Sequence, residues 1–192
     1  MAGQVCLVLG GVRSGKSAFA EGLAQALGQP LLYLATAIAG DAEMGERIRR
    51  HQQRRPAHWR TLEEPLDLAG RLSPMLNAAD PPSVVLVDSL DMWVTNLLLQ
   101  HEADADAALE SLANSGLDAL LAACRAAGVV LFLVSGEVGL SLVPPYPLGR
   151  RFQDLLGLVN QRAAAAAQQV YLVVAGVPVD LRRLAGLPES PA

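Results

Sequence analysis

The stretch QVCLVLGGVRSGKSAFAEGLAQAL, residues 4–27, decides the fold. Its apolar run from Gln4 to Leu9 ends in paired glycines, as a buried parallel strand does. An Ala- and Leu-rich segment from Ser17 to Leu27 closes at Gly28, which predicts a helix with a glycine stop. Between them Gly10, Gly11, Val12, Arg13, Ser14, Gly15, Lys16 and Ser17 match G-x-x-x-x-G-K-[ST], with the strand before and helix after that the motif requires. The glycines let successive backbone N–H groups face phosphate oxygens. The helix start adds the positive end of its dipole. Lys16 brings a compact charge to the β- and γ-phosphates, and Ser17 a hydroxyl for Mg²⁺. Composition sharpens this: of fifteen basic residues, the only lysine is Lys16. Arginine's wide planar fork does not fit where an ammonium must tuck between phosphates.

Outward from the loop, strands alternate with helices. Strands are expected at Leu31–Ala35, Ser83–Val87 (ending at Asp88), Val129–Val134 and Val170–Ala175. Helices are expected at Ala42–Arg54 (stopped by Pro56), Leu66–Leu76, Ser89–Gln100, Asp104–Ala127 (with a break near Asn114-Ser115-Gly116) and Arg150–Ala167. Loops are expected at Thr36–Asp41 and over the long stretch Ser135–Gly149. The pattern predicts an α/β fold, P-loop NTPase-like, with a mostly parallel sheet and helices on both faces. The 192 residues fit a single P-loop nucleotide-binding domain over 1–181, with 182–192 an expected disordered C-terminal tail. A net charge of −4 argues against a nucleic-acid binder relying on broad positive charge. No apolar run approaches membrane-span length. The N-terminus reads as a first strand, not a signal peptide. Cys6 and Cys124 lack ligand spacing and read as buried core thiols, and a cytoplasmic location is expected.

Two acidic positions and one histidine complete the chemistry. Ser83-Val84-Val85-Leu86-Val87-Asp88 is an apolar strand ending in a carboxylate, which beside a P-loop suits the metal; Asp91, one turn on, is the fallback. His51 sits among Arg47, Arg49, Arg50, Arg54 and Arg55. On a helix, Arg47, Arg50, His51 and Arg54 share one face. That face is either solvated or turned to polyphosphate. Glu43, Glu46, Glu63 and Glu64 flank the cluster, so it is not a general basic patch. Neighbouring cations favour neutral imidazole, which can attack phosphorus to form a phosphoramidate while the arginines stabilise the phosphoryl oxygens. His58, before Trp59, reads as packing, and His101 as exposed. With no second lysine, no N-K-x-D guanine motif can be built, which weakens a GTPase-type switch. A simple small-molecule kinase remains the other alternative on residues alone.

Several separate segments carry a resemblance: GGVRSGKS at 10–17, LYLATA at 32–37, GDAEMGERIRRHQQRRPAHWRTLEEP at 40–65, VVLVDSLDMWVTNLL at 84–98, EVG at 137–139 with VP at 143–144, and NQRAAAAAQQVYLVVAGVP at 160–178. The chain resembles the bifunctional adenosylcobinamide kinase / adenosylcobinamide-phosphate guanylyltransferase family of cobalamin biosynthesis. The resemblance implies phosphorylation of adenosylcobinamide with ATP or GTP, then transfer of GMP from GTP to the new phosphate through a GMP-histidine, with release of pyrophosphate. It implies His51 as that histidine, and Lys16 as the other catalytic residue. It implies nucleotide contacts from Gly10 to Ser17, from Ala35, Thr36 and Ala37, from Gln52, Gln53, Arg54 and Arg55, and from Glu63 and Asp88. Mg²⁺ is then expected on Ser17 and Asp88. A homotrimer is implied, with the corrinoid near a subunit boundary; Trp59, Trp93 and the Ser135–Gly149 loop are its expected lining. Ser89, Asp91, Gly136, Ser141 and Gln153 depart from the residues usual in that family (Cys, Thr, Asn, Gly and Arg), and none falls within the P-loop motif or at His51 in the sequence.

Overall fold

The computed structural model describes residues 3–28, 30–39, 45, 46, 49, 52 and 56–186. The first strand, β1 (Val5–Gly10), is buried along its whole length. Such a strand needs cover on both faces, and helices supply it. Helix α1 (Lys16–Ala26) follows, then β2 (Leu31–Ala35), β3 (Arg60–Glu63), α2 (Leu68–Leu76), β4 (Val84–Asp88), α3 (Leu90–Gln100), α4 (Asp106–Ala126), β5 (Val130–Gly136), α5 (Pro147–Ala166), β6 (Gln169–Val174), β7 (Val177–Asp180) and a single turn, α6 (Leu181–Leu184). The sheet order is β3-β2-β4-β5-β1-β6-β7. All pairings are parallel except β6–β7, which is antiparallel.

Alternation along each strand sorts the core into two layers. Leu7, Leu32, Leu34, Val85, Val87, Leu131 and Leu133 face the layer containing Leu72, Trp93, Leu117 and Leu156 from α2, α3, α4 and α5. Cys6, Val8, Tyr33, Leu86, Phe132 and Val134 face the other layer, with Ala20 and Ala24 of α1. The period of two explains why a strand such as VCLVLG can be apolar throughout yet serve two cores. The expected α/β architecture with helices on both faces is thus observed. Among the described residues no helix is long and apolar enough to cross a membrane.

Some expectations need correction. Two strands were hidden: β3, whose exposure alternates along Arg-Thr-Leu-Glu, and β7, which contains Pro178. Both lie at sheet edges, where a charged or proline-bearing strand is tolerated. The turn between β6 and β7 has Ala175 and Gly176 at φ 49° and 82°, the left-handed pair of a tight hairpin. Helix α4 runs unbroken through Gly116. Its glycine is a packing feature: a Cβ there would lie 2.9 Å from Cζ2 of Trp93. Helix α5 begins at Pro147, shortening the expected loop, with proline in the first turn where its missing N–H costs nothing. Helix α6 carries the fold past residue 181, and Arg182 donates to the Ala164 carbonyl at 2.8 Å. The helix expected at Ala42–Arg54 falls mostly outside the described residues. Of it, Gly45, Glu46, Arg49 and Gln52 are helical, and Arg49 pairs with Glu46 at 2.6 Å.

Candidate active site

The loop from Gly10 to Lys16 is shaped by close contacts. A Cβ at Gly10 would fall 2.4 Å from Ser14 Oγ and 2.7 Å from the Val173 carbonyl, so only glycine fits beneath the turn. Ser14 N–H donates to the Gly11 carbonyl (3.2 Å), and Gly176 N–H donates to the Ser14 carbonyl (2.8 Å). The β6–β7 hairpin therefore buttresses the loop from below. Ser14 Oγ accepts from the Lys16 N–H at 3.3 Å. Arg13 (φ 56°) and Gly15 (φ 95°) are left-handed. Gly15 caps α1 without a side-chain bond, so the first N–H groups of the helix keep their capacity for an anion. Lys16 is buried, while Val12 is 81% exposed at the rim and Gly11 and Arg13 are also exposed.

A cavity of about 490 Å³ opens beside this loop at the carboxyl ends of the strands, where open α/β sheets bind ligands. Val12, Lys16 and Ser17 line it from the loop and α1; Tyr33, Ala35, Ala37 and Ala39 from β2 and beyond; Gln52, Glu63 and Glu64 from the far side; and Asp88, Ser89, Asp91 and Met92 from β4 and α3. Sheet register assembles the acidic row: Ala35 pairs with Glu63 on one side and with Asp88 on the other. Gln52 Nε2 donates to Glu63 Oε1 at 3.2 Å, which brings two expected contacts together.

Asp88 is the hub. Its Oδ1 accepts from Ser17 Oγ at 3.2 Å, and its Oδ2 from the Tyr33 hydroxyl at 2.5 Å. Tyr33 in turn stacks on Trp59, with ring centroids 6.4 Å apart and planes at 25°. The Ser17 hydroxyl and Asp88 carboxylate are hard oxygen donors, adjacent and beside the phosphate loop. Such a pair fits Mg²⁺, which takes few protein ligands alongside substrate phosphates and water. Among the described residues there is no cluster of three or more His, Cys, Asp or Glu side chains of the kind a fully protein-ligated metal needs.

Other residues have structural work instead. Thr36 is fully buried. Its Oγ1 donates to the Ser89 carbonyl (2.7 Å) and accepts the Ser89 N–H (2.8 Å), while its carbonyl accepts from Asn96 Nδ2 (2.8 Å). It clamps the end of β2 to the start of α3 and, unlike Ala35 and Ala37, does not line the cavity. Glu64 Oε1 accepts the N–H groups of Leu66 and Asp67, both at 2.9 Å. Trp93 is buried in the core with its indole N–H on the Leu66 carbonyl (2.9 Å), and Trp59 is buried against Tyr33; neither lines this cavity. Trp59 rather than His58 does the packing, since His58 is exposed. His101 pairs with Asp104 at 2.9 Å near the surface. His51, Gln53, Arg54 and Arg55, with Arg47 and Arg50, lie outside the described residues.

Sequence reasoning missed Tyr33, Ile38 and Met92 as cavity residues. Tyr33 had one available signal: it is the polar-tipped member of an otherwise apolar strand, and a buried tyrosine hydroxyl needs a partner. The thiols behave as expected. Burial pushes Cys6 and Cys124 up to about 12, with Asp180 adding to the effect at Cys6.

Comparison with known proteins identifies the family. The profile of the family described as cobinamide kinase / cobinamide phosphate guanyltransferase matches residues 6–181. The bifunctional adenosylcobalamin biosynthesis protein CobP of Pseudomonas aeruginosa is 46% identical over 176 residues, covering 92% of this chain and 96% of that protein. The corresponding CobU proteins of Escherichia coli and Salmonella typhimurium are 42% and 41% identical, each aligned over 92% of this chain and 98% of its own length. The chain belongs to the cobinamide kinase / cobinamide phosphate guanyltransferase family.

Proposed function

We propose that this enzyme of adenosylcobalamin biosynthesis phosphorylates adenosylcobinamide with ATP or GTP. It then transfers GMP from GTP to adenosylcobinamide phosphate through a GMP-histidine at His51. The observation that carries the proposal is a shared cavity: the phosphate-loop residues Lys16 and Ser17 line it together with Gln52, the sequence neighbour of His51, and with Glu63. A triphosphate anchored at the loop is thereby within one site that both chemistries can use.

In the kinase reaction the acceptor hydroxyl attacks the γ-phosphorus in line, and the bond to the β–γ bridging oxygen breaks. Lys16 and the loop N–H groups stabilise the charge spread over the phosphoryl oxygens. Ser17 and Asp88 would hold Mg²⁺, which when bound neutralises phosphate charge. In the transfer reaction neutral His51 attacks the α-phosphorus of GTP and pyrophosphate leaves from the loop. An oxygen of the corrinoid phosphate then attacks the phosphoramidate, forming the diphosphate linkage and freeing the imidazole. Gln52, Gln53, Arg54, Arg55, Glu63 and the chain at Ala35–Ala37 contribute to holding the guanosine. In the same proposal the chain is one P-loop domain, its expected span of 1–181 extended through α6 to Leu184, and works as a cytoplasmic homotrimer.

Incubation with α-labelled GTP tests the covalent step. The expected result is acid-labile, base-stable label on the protein, absent from His51→Ala. Label of the same stability persisting in His51→Ala would overturn the assignment.

A further inference from the structure

A second cavity of about 410 Å³ lies between α3 and the segment joining β5 to α5. It shares helix α3 with the first. Asp91 and Met92 of α3 line the phosphate-loop cavity, whereas Thr95, Leu98 and Leu99 of the same helix line the second. Asp91, Thr95 and Leu99 are spaced i, i+4, i+8 and so share one helix face. At 1.5 Å per residue the run from Asp91 to Leu99 covers about 12 Å. Thr95 Oγ1 donates to the Asp91 carbonyl at 2.8 Å, and Asp91 Oδ1 accepts the Gly136 N–H at 3.1 Å. One helix face thus leads from the phosphate end to the second cleft, with the end of β5 alongside.

The chemistry of the second cleft differs from that of the first. Among the described residues no charged side chain lines it; its polar side chains there include the neutral Thr95, Ser141 and Gln153. Its wall is built, because Gln153 Nε2 donates to both the Val138 carbonyl (2.6 Å) and Ser141 Oγ (3.1 Å). Arg150 fastens the Pro144 carbonyl at 3.0 Å. Tyr146 of its lining is 63% exposed, and Leu140, Leu142 and Val143, next in sequence to the lining residues Ser141 and Pro144, are 85%, 93% and 75% exposed. An apolar patch of that kind marks a binding surface. A triphosphate nucleotide has no partner for its charge there.

Building on the corrinoid substrate proposed above, we infer that this second cleft seats the corrinoid macrocycle, with the hydroxyl-bearing arm reaching the phosphate loop along the Thr95–Asp91 face. A corrinoid presents a broad apolar ring edged with neutral amides, which matches apolar walls carrying Ser141, Gln153 and Thr95. A cleft of this volume stands at the small end of ligand pockets. It takes one edge of the ring, and the rest lies over Leu140, Leu142 and Val143, which accounts for their exposure.

The test uses steady-state kinetics of Leu99→Glu and Tyr146→Ala, two exposed positions whose substitution leaves the core intact. Each is expected to raise the KM for adenosylcobinamide about tenfold or more, with the KM for GTP and protein labelling by α-labelled GTP as in wild type. Light scattering on the same samples reports assembly. Unchanged corrinoid KM in both variants, with the wild type active, overturns the cleft assignment alone. So does a KM change that follows only from altered assembly and disappears at matched oligomeric state, since the cleft is then a subunit interface. A wild-type enzyme that does not turn over adenosylcobinamide overturns the proposed function, and this inference with it.

Discussion

Replacing Tyr33 with phenylalanine removes one oxygen from the floor of the site and nothing else. The ring is 1% exposed and stays stacked on Trp59, so apolar packing is conserved. What is lost is the 2.5 Å bond to Asp88 Oδ2. A hydrogen bond to a charged group contributes about 1.5–3 kcal/mol net. For a domain of this size each kcal/mol moves the melting temperature by about 2–4 °C, so Tyr33→Phe lowers it by about 3–12 °C. Circular dichroism melts against wild type read this directly. The same carboxylate accepts Ser17 Oγ at 3.2 Å. Ser17→Ala therefore acts on the same hub, and a double-mutant cycle should show coupling of about 0.5–3 kcal/mol between the two positions. In turnover, Tyr33→Phe should also raise the half-saturating Mg²⁺ concentration, because Asp88 loses the group that orients it. A melting shift below 1 °C together with additive Ser17 and Tyr33 effects would refute the claim that these hydroxyls jointly brace Asp88.

Further outcomes follow from packing and burial. Gly116→Ala should destabilise by about 1–3 kcal/mol through overpacking, since its Cβ meets a Trp93 ring at 2.9 Å that is itself tied to the Leu66 carbonyl. Gly157→Ala, in α5 with no atom within 4 Å of the added Cβ, should instead stabilise by about 0.5–1 kcal/mol; denaturant melts of the pair give the signs. Cys6 and Cys124, raised to about 12, should resist a thiol reagent at pH 8 in the native protein and react fully in guanidinium, because the thiolate is the reactive form. As folding raises these values above the ordinary 9.0, the stability they contribute is complete below pH 9 and is lost as pH climbs towards 12.

The parallel centre of the sheet was legible because its signals are local. VCLVLG, LLYLA and VVLVD are continuous apolar runs, and each carries its boundary with it. β3 was not legible because Leu62 is its only apolar member, and it becomes a strand by pairing with β2, 28 residues away at Leu34. β7 carries a proline, and its sole local mark is the Ala175-Gly176 turn. The same division runs through the site. Lys16, Ser17 and Asp88 sit in spaced motifs and line one cavity. Thr36 lies in a matching segment too, yet its hydroxyl is committed to Ser89, a long-range partnership that spacing does not reveal. Trp59 and Trp93 looked suited to a large ligand, but an aromatic ring serves a core equally well, and here both are buried.

The sheet register sets how the two ends of the cavity are spaced. Glu63, Ala35 and Asp88 stand in one row across β3, β2 and β4, and the first and last of them line the cavity with Ala35 between. Asp88 looks to the phosphate loop through Ser17, and Glu63 looks to Gln52. Alanine at the middle position leaves the space between the two carboxylates open, and Ala37 and Ala39 extend that small-residue floor. A slip of β3 by one residue would turn Glu63 to the opposite face of the sheet and bring Leu62 into the row. β3, weak by its own sequence, therefore owes its place to β2, and that pairing fixes the distance between the two ends of the site.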